Sequence, residues 1–286
     1  MIAMSLNYPI WKLRDWIPRE KLNWYYLSRN PNAIQMLKEN PEKIEWVALS
    51  INPNSYEILK NNHNFINWNA ISKNEDAIEL LLENQNKINW NWFSANPSPK
   101  AIELLLQNPN KIDWKWLSLN SNSKAIEILG DNIDKINWSF FCLNNNPKII
   151  PILRKNFDKI NWNYLCFNPC ALSLIKENLN NIPLYLLSGN SDCIDIFLEM
   201  IDTIEIHYLT YNTNVKILPF IQKYIDDFTE LDWCNLSENP IIFELDYQQM
   251  KKNNQKFYED LIKEVMKPER IFKDPNYDYI EELFGD

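Results

Sequence analysis

Glycine is almost absent from this sequence, which contains only three in 286 residues. This scarcity argues against loops that cradle phosphate groups and against a sheet-rich fold with many tight turns. Long apolar runs are missing as well, because no segment approaches the roughly 20 residues that a membrane-spanning helix needs. The first residues lack the charged and apolar regions of a signal peptide. We therefore expect a cytoplasmic protein with no membrane partner.

Basic charge and metal-binding residues are also scarce. The formal net charge is −9, whereas binding to nucleic acid needs a basic surface. His63 and His207 are the only two histidines, and neither has a partner at the spacing of metal ligands. With no motif of a catalytic centre, the sequence predicts no catalytic residue, no cofactor and no metal, and hence a protein that is not an enzyme. Five cysteines without a zinc-binding pattern are predicted to be reduced, partly buried thiols: Cys142, Cys166, Cys170, Cys193 and Cys234.

Tryptophan and asparagine are abundant, and the tryptophans recur at a nearly constant interval. Of the 12 tryptophans, seven follow one another at steps of 22 or 24 residues, and the frame continues through Leu184 and Ile206 to Trp233. Such a period is the signature of a repeat architecture. We call the ten positions anchors and number the copies by them. The tryptophan anchors of the first seven copies are Trp24, Trp46, Trp68, Trp90, Trp114, Trp138 and Trp162.

Four other columns keep their residue type in every copy. Two residues before the anchor stands Leu or Ile, three after it a large apolar residue, and four after it Ser, Thr or Cys. Six after the anchor, the residue is Asn in all ten copies, and Pro often follows it. The ten residues of this asparagine column are Asn30, Asn52, Asn74, Asn96, Asn120, Asn144, Asn168, Asn190, Asn212 and Asn239.

The columns predict two helices in each copy. The Asn followed by Pro is typical of the start of a first helix, which ends near a second column of Asn, such as Asn40 and Asn62. With glycine scarce, we expect this second Asn to be a left-handed cap of that helix. The residue before the anchor, mostly Asn or Asp, is predicted to cap a second, shorter helix, whose tryptophan we expect in the core.

Two helices of about ten and seven residues are too short to be stable alone, so the copies must stack. We therefore predict an all-α fold, an α-solenoid of about ten two-helix repeats of 22–24 residues. Residues 22–239 form the repeats. Residues 1–21 are predicted to be an N-terminal cap, with a helix over residues 8–16. Residues 240–286 are predicted to be a C-terminal helical cap, with an amphipathic helix through Phe257, Leu261 and Val265, and an acidic tail.

Segment 30–46, NPNAIQMLKENPEKIEW, resembles repeat proteins that giant DNA viruses of amoebae, such as relatives of mimivirus, encode in many copies. The likeness covers residues 22–239 and weakens from Leu184 onward, where Trp gives way to Leu and Ile. Segment 265–271, VMKPERI, is similar to a C-terminal segment of the same group. The resemblance implies a viral protein in the host cytoplasm. It implies no catalytic residue.

The middle copies carry an apolar stripe at positions two and five after the anchor. Positions two and five after the anchor lie on the side of the second helix opposite to the tryptophan. End copies are more polar at position five, with Arg29, Lys73 and Glu238. The stripe either binds a partner helix or peptide or is sandwiched in the core. Its candidate partner-binding residues are Trp92, Ala95, Trp116, Leu119, Phe140, Leu143, Tyr164 and Phe167.

A long array of repeats without a recognisable active site is typical of a protein-interaction scaffold. Our first hypothesis is a non-enzymatic viral scaffold that binds a host or viral protein. The alternative is a structural or virion-assembly protein that self-associates through the stripe or through its ends. The sequence determines neither the partner nor the oligomeric state.

Overall fold

The computed structural model describes residues 9–182, 184–198 and 206–265. Their secondary structure is mostly helical, which confirms the predicted all-α class. The chain separates into two compact units. We call Leu13–Glu244 the repeat unit, and Met1–Lys12 together with Leu245–Asp286 the terminal unit.

The second helices are four to six residues long in copies one to nine, shorter than the predicted seven. The side chain before the anchor caps several of them as predicted. In the first copy, Asn23 Oδ1 accepts hydrogen bonds from the N–H groups of Tyr25 at 3.0 Å and Tyr26 at 3.4 Å. The second helices are Trp24–Arg29, Trp46–Leu49, Trp68–Ile71, Trp90–Phe93, Trp114–Leu117, Trp138–Cys142, Trp162–Leu165, the 3-10 helix Leu184–Gly189, Ile206–Leu209 and Glu230–Glu238.

The tenth copy departs from this pattern at its start. Its second helix begins at Glu230, three residues before the anchor Trp233, and Thr229 is the cap. Asp232, which the column predicts as the cap, instead completes a capping box with Thr229. The early start turns Leu231 away from the core, and this residue is 63% exposed.

The first α-helices begin three to six residues after the asparagine column, whose side chain caps the turn that precedes the helix rather than the helix itself. In the first copy, Asn30 Oδ1 accepts a hydrogen bond of 3.0 Å from the N–H of Asn32, and a 3-10 turn, Pro31–Ala33, leads into the helix. The described α-helices of this kind are Ile34–Lys38, Tyr56–Lys60, Ile78–Glu83, Pro99–Gln107, Ser123–Gly130, Ile149–Lys155, Leu172–Lys176, Ile194–Leu198 and Leu218–Tyr224.

The second asparagine column does not adopt the left-handed conformation that the sequence predicts. Asn40 has a φ of −135°, and no described non-glycine residue has a positive φ. Its Nδ2 instead donates a hydrogen bond of 2.7 Å to the carbonyl of Met36, an otherwise unpaired group at the end of the helix. The chain needs no reversal here, because a 3-10 turn, Pro41–Lys43 in this copy, leads directly to the next second helix.

The asparagine column joins each copy to the one before it. In the fifth copy, Asn120 Nδ2 donates hydrogen bonds to the carbonyls of Ser94 at 2.9 Å and Asn96 at 2.8 Å. Its Oδ1 accepts a hydrogen bond of 2.9 Å from the N–H of Asn122. All three polar hydrogen-bonding functions of the buried side chain are therefore used, one within its own copy and two between copies.

The same hydrogen bonds join the first copy to the tenth. Asn30 Nδ2 donates to the carbonyls of Ser237 and Asn239, both at 2.9 Å. In copies one to seven, a second series of hydrogen bonds joins the N–H of the residue before the anchor to the position-four side chain of the neighbouring copy. Asn137 N–H donates to Ser118 Oγ at 2.9 Å, and Asn23 N–H donates to Ser237 Oγ of the tenth copy at 2.9 Å. Within the described residues, the series of asparagine hydrogen bonds therefore also links the tenth copy to the first.

The core consists of the apolar residues three positions after the anchor, together with first-helix residues such as Leu37 and Leu129. No member of the position-three column is more than 2% exposed. The predicted core role of the anchor tryptophans is wrong for the seven described in copies one to seven, which are half-buried, and correct for Trp233, which is 7% exposed. The position-three column consists of Leu27, Leu49, Ile71, Phe93, Leu117, Phe141, Leu165, Leu187, Leu209 and Leu236.

The half-buried tryptophans are covered by the 3-10 turn of the following copy. Lys43 Nζ lies 4.7 Å from the ring centroid of Trp24, and Lys87 Nζ lies 4.2 Å from that of Trp68. Such cation–π contacts contribute about 0.5–1 kcal/mol each at exposed sites. The anchor column thus packs between the core and a polar outer layer.

The N-terminal segment differs from the predicted helix. Trp11–Leu13 is a β-strand, and it forms a two-stranded sheet with Phe243–Leu245. Within the repeat unit, Arg14 donates its N–H to the carbonyl of Ile242 at 3.0 Å. The predicted C-terminal helix is present as Tyr247–Val265. The acidic tail lies outside the described residues.

Candidate functional site

The position-two side chains of the middle copies form a row of aromatic rings. The ring centroids of Trp92 and Trp116 are 5.4 Å apart, and so are those of Trp116 and Phe140. These three residues are half-buried, whereas Tyr164, at the same position of the next copy, is 42% exposed. The row is therefore neither a closed core nor a free surface.

The position-five side chains line a cavity instead. Ala95, Leu119 and Leu143 form part of its wall together with Ile51 and Lys73, and its volume is about 390 Å³. Ala95 is buried, and Leu119 and Leu143 are half-buried. Three of the four position-five candidates are thus brought together by five successive copies.

Phe167, the fourth position-five candidate, packs toward the eighth and ninth copies. Its ring lies over Gly189, where an added Cβ would come within 2.9 Å of Phe167 Cε1. Its centroid is 6.4 Å from that of Tyr208. The glycine at position five of the eighth copy is explained by this close approach, because any side chain there would displace the ring.

Charged position-five side chains of the end copies come together where the first and tenth copies meet. Arg29 Nη2 forms an ion pair of 3.0 Å with Glu238 Oε1. Burial raises the pKa of Glu238. Burial lowers the pKa of Lys73, and the Arg29 charge lowers it further. The sequence shows these residues as polar, but only the contact between copies one and ten brings Arg29 beside Glu238.

His207 and Asp232 form a hydrogen-bonded pair that the sequence spacing did not reveal. His207 Nδ1 lies 2.8 Å from each carboxylate oxygen of Asp232, whose side chain is 1% exposed. Thr229 also donates its N–H and its hydroxyl to Asp232. Although burial favours the neutral acid, the hydrogen bonds from Thr229 and His207 lower the pKa of Asp232 below its usual value.

We expect Asp232→Asn to make the stability of the protein less sensitive to acid. The lowered pKa means that the carboxylate stabilises the fold above its unfolded pKa of about 4, and that this stabilisation is lost as the pH falls through the folded value. Urea unfolding between about pH 7 and pH 3 measures the difference. Asp227→Asn, at an exposed carboxylate, is the control. Equal acid sensitivity of wild type and Asp232→Asn would contradict the prediction.

The cysteines are free thiols, and four of the five are buried. Cys142 replaces a column serine, and its Sγ accepts a hydrogen bond of 3.4 Å from the N–H of Asn161. Burial raises the pKa of Cys166 to about 12 and that of Cys193 to about 11. These thiols stay protonated at neutral pH, so they are poor nucleophiles.

Within the described part of the chain, no group of three or more His, Cys, Asp or Glu side chains is arranged to hold a metal ion. None of the helices searched there is long and apolar enough to cross a membrane. Comparison with protein-family models, with curated proteins and with solved structures gave no match for this chain. Arguments about its function therefore depend on its own residues.

Proposed function

We propose that the repeat unit is a closed ring of ten helical repeats, and that it is a non-enzymatic scaffold that binds a protein partner. The circular series of asparagine hydrogen bonds supports the ring. The partner-binding surface that we propose is the aromatic row of Trp92, Trp116, Phe140 and Tyr164. We further propose, from the resemblance to giant-virus repeat proteins, that the partner is a host or viral protein in the infected cell.

The main observation behind this proposal is that neighbouring aromatic rings of the row contact each other, so that the row is continuous across successive copies. The ring of Trp116 contacts those of both Trp92 and Phe140, so the rotamers of these side chains are restricted before any partner binds. Lys115 Nζ lies 5.1 Å from the Phe140 centroid and adds a polar edge. Preorganised aromatic side chains with a polar rim are typical of the energetic centres of protein interfaces, because little side-chain entropy is lost on binding.

The proposed ring favours binding of a partner over assembly through the ends. An open array has a first and a last repeat with unpaired sides, which are natural contacts for a second copy. Here the asparagine hydrogen bonds pair these two sides with each other. Self-association, the alternative function, would have to use an outer surface such as the aromatic row.

We expect the purified protein to retain a specific partner from lysate of infected cells, and the Trp116→Ala/Leu119→Ser variant to lose it. Removing the central ring of the row and a neighbouring apolar side chain should weaken binding about tenfold or more, since central aromatic residues contribute about 2 kcal/mol or more to interfaces. Quantitative mass spectrometry of the retained proteins measures the difference.

Phe157→Ser is the matched control, because Phe157 is a 45% exposed aromatic residue outside the row. It should retain the same partner as the wild type. If both variants retain the same proteins in the same amounts, the aromatic row is not the binding surface. Light scattering of the purified protein tests the alternative, since a mass that rises with concentration and falls to the monomer in the double variant would support self-association.

A further inference from the structure

The His207 ring combines an exposed side chain with one nitrogen that a buried carboxylate holds. Nδ1 lies 2.8 Å from each carboxylate oxygen of Asp232, a residue of the tenth copy. The side chain of His207 is 58% exposed, whereas that of Asp232 is 1% exposed. The two ring nitrogens point away from each other, so the contact with Asp232 directs Nε2 away from the carboxylate.

Thr229 fixes the carboxylate in this orientation. Its N–H and its hydroxyl donate hydrogen bonds to Asp232 Oδ2 at 2.8 and 2.6 Å, and both residues belong to the capping box of Glu230–Glu238. The carboxylate is therefore held as the acceptor of Nδ1. A carboxylate acceptor requires a proton on Nδ1, so in the neutral ring Nε2 carries the lone pair.

The other histidine of the chain lacks such a carboxylate. His63 is exposed and begins the 3-10 turn His63–Phe65. In the described part of the chain, its ring has neither a hydrogen bond nor an ion pair. Because the sequence contains only these two histidines, His63 is an internal reference for the chemistry of His207.

The buried carboxylate favours attack by Nε2 on an electrophile. As Nε2 forms a bond, positive charge develops on the imidazole, and the carboxylate at Nδ1 stabilises that charge, as it does in a catalytic triad. The attraction is strong because Asp232 is shielded from water and is already oriented before the reaction. No described hydroxyl or thiol is hydrogen-bonded to Nε2, so the ring itself is the nucleophile.

We infer that His207 is a modification site whose Nε2 accepts a phosphoryl group from a small phosphoryl donor. The Nε2 lone pair attacks phosphorus, and the leaving group departs with the electron pair of the bond that breaks. With phosphoramidate as the donor, the leaving group is ammonia, because the nitrogen of the donor is already protonated. Nδ1 keeps its proton, and the product is a phosphorylated imidazolium that is paired with Asp232.

A phosphoryl group fits this exposed position better than an acyl group. N-acyl imidazoles hydrolyse quickly in water, whereas a phosphoryl group on Nε2 persists at neutral and alkaline pH and keeps its oxygens hydrated. This inference goes beyond the proposed scaffold function, because it concerns covalent chemistry at a single side chain and does not involve the aromatic row.

Incubation of the full chain with phosphoramidate in mildly alkaline buffer tests the inference. Peptide mass spectrometry without an acid step, which would hydrolyse phosphohistidine, measures the rate at each histidine. We expect His207 to be phosphorylated about tenfold faster than His63, as one charge-assisted hydrogen bond to the developing charge implies. Asp232→Asn keeps the shape of the side chain but removes its charge, so it should lower the His207 rate to that of His63.

Two measurements separate this role of Asp232 from a purely structural one. The rate at His63 should be unchanged in Asp232→Asn, and thermal unfolding should show that the variant is folded under the reaction conditions. Asp227→Asn, at an exposed carboxylate, should leave both rates at their wild-type values. The inference is overturned if His207 of the wild type reacts no faster than His63, a result that needs no variant. It is equally overturned if folded Asp232→Asn phosphorylates His207 at the wild-type rate.

Discussion

Asn30→Ala should destabilise the protein as much as Asn120→Ala does, by about 3–5 kcal/mol each. Each substitution removes a buried side chain that makes two hydrogen bonds to carbonyls of another copy and caps a turn in its own. The carbonyls left behind are buried and have no other partner of equal geometry. Urea unfolding of both variants measures the two free energies.

Comparing the two variants tests whether the first copy is hydrogen-bonded to the tenth. Both asparagines make the same kinds of hydrogen bond, but to carbonyls of different copies. Asn120 contacts the copy before it in sequence, whereas Asn30 contacts the tenth copy, more than 200 residues away. In an open array, Asn30 would face solvent, and its replacement would cost only the cap, about 1 kcal/mol. A small loss for Asn30→Ala beside a large one for Asn120→Ala would therefore refute the closed ring. Asn62→Ala, which removes one half-buried hydrogen bond, should cost about 1 kcal/mol.

Phe141→Ala is expected to destabilise the fold by about 3–5 kcal/mol, the range for truncating a fully buried aromatic residue. Phe141 belongs to the position-three column and is 0% exposed, and its ring is 5.9 Å from that of Trp138 in an edge-to-face arrangement. The neighbouring copies cannot move into the space, since the hydrogen bonds between copies fix their spacing. Thermal and urea unfolding measure the change.

Phe157→Ala is the control for this prediction. Phe157 is 45% exposed and contacts Trp162 with ring centroids 5.4 Å apart. Its removal should cost about 1 kcal/mol, the value of an exposed aromatic pair. Equal losses at the two positions would mean that the position-three column does not form the core.

The proposed ring gives the candidate surfaces a common physical basis. When every copy is held on both sides, a local opening must break hydrogen bonds to two neighbours, so we expect no repeat that frays like the end of an open array. Side chains on such a support keep their positions before binding, which lowers the entropic cost of capturing a partner. The aromatic row, which is built on these copies, benefits from this rigidity.

Much of the local structure follows from the columns. The asparagine six after the anchor caps the turn that leads into the first helix, and residues such as Asn23 cap the second, because short polar side chains accept hydrogen bonds from free N–H groups at helix starts. The same reasoning was wrong for Asn40, since a side-chain hydrogen bond to the preceding turn replaced the left-handed cap. It was also wrong for Trp11–Leu13, where backbone pairing with a distant strand overrides the local helical pattern.

By itself, the sequence determined the all-α class, the columns and the side chains that cap and fill each copy, because these depend on contacts within a few residues. Tertiary structure alone decided that Asn30 meets Asn239 and that Arg29 pairs with Glu238. No single column of the sequence shows these contacts, because they join residues more than 200 positions apart and depend on the packing of all the copies between them.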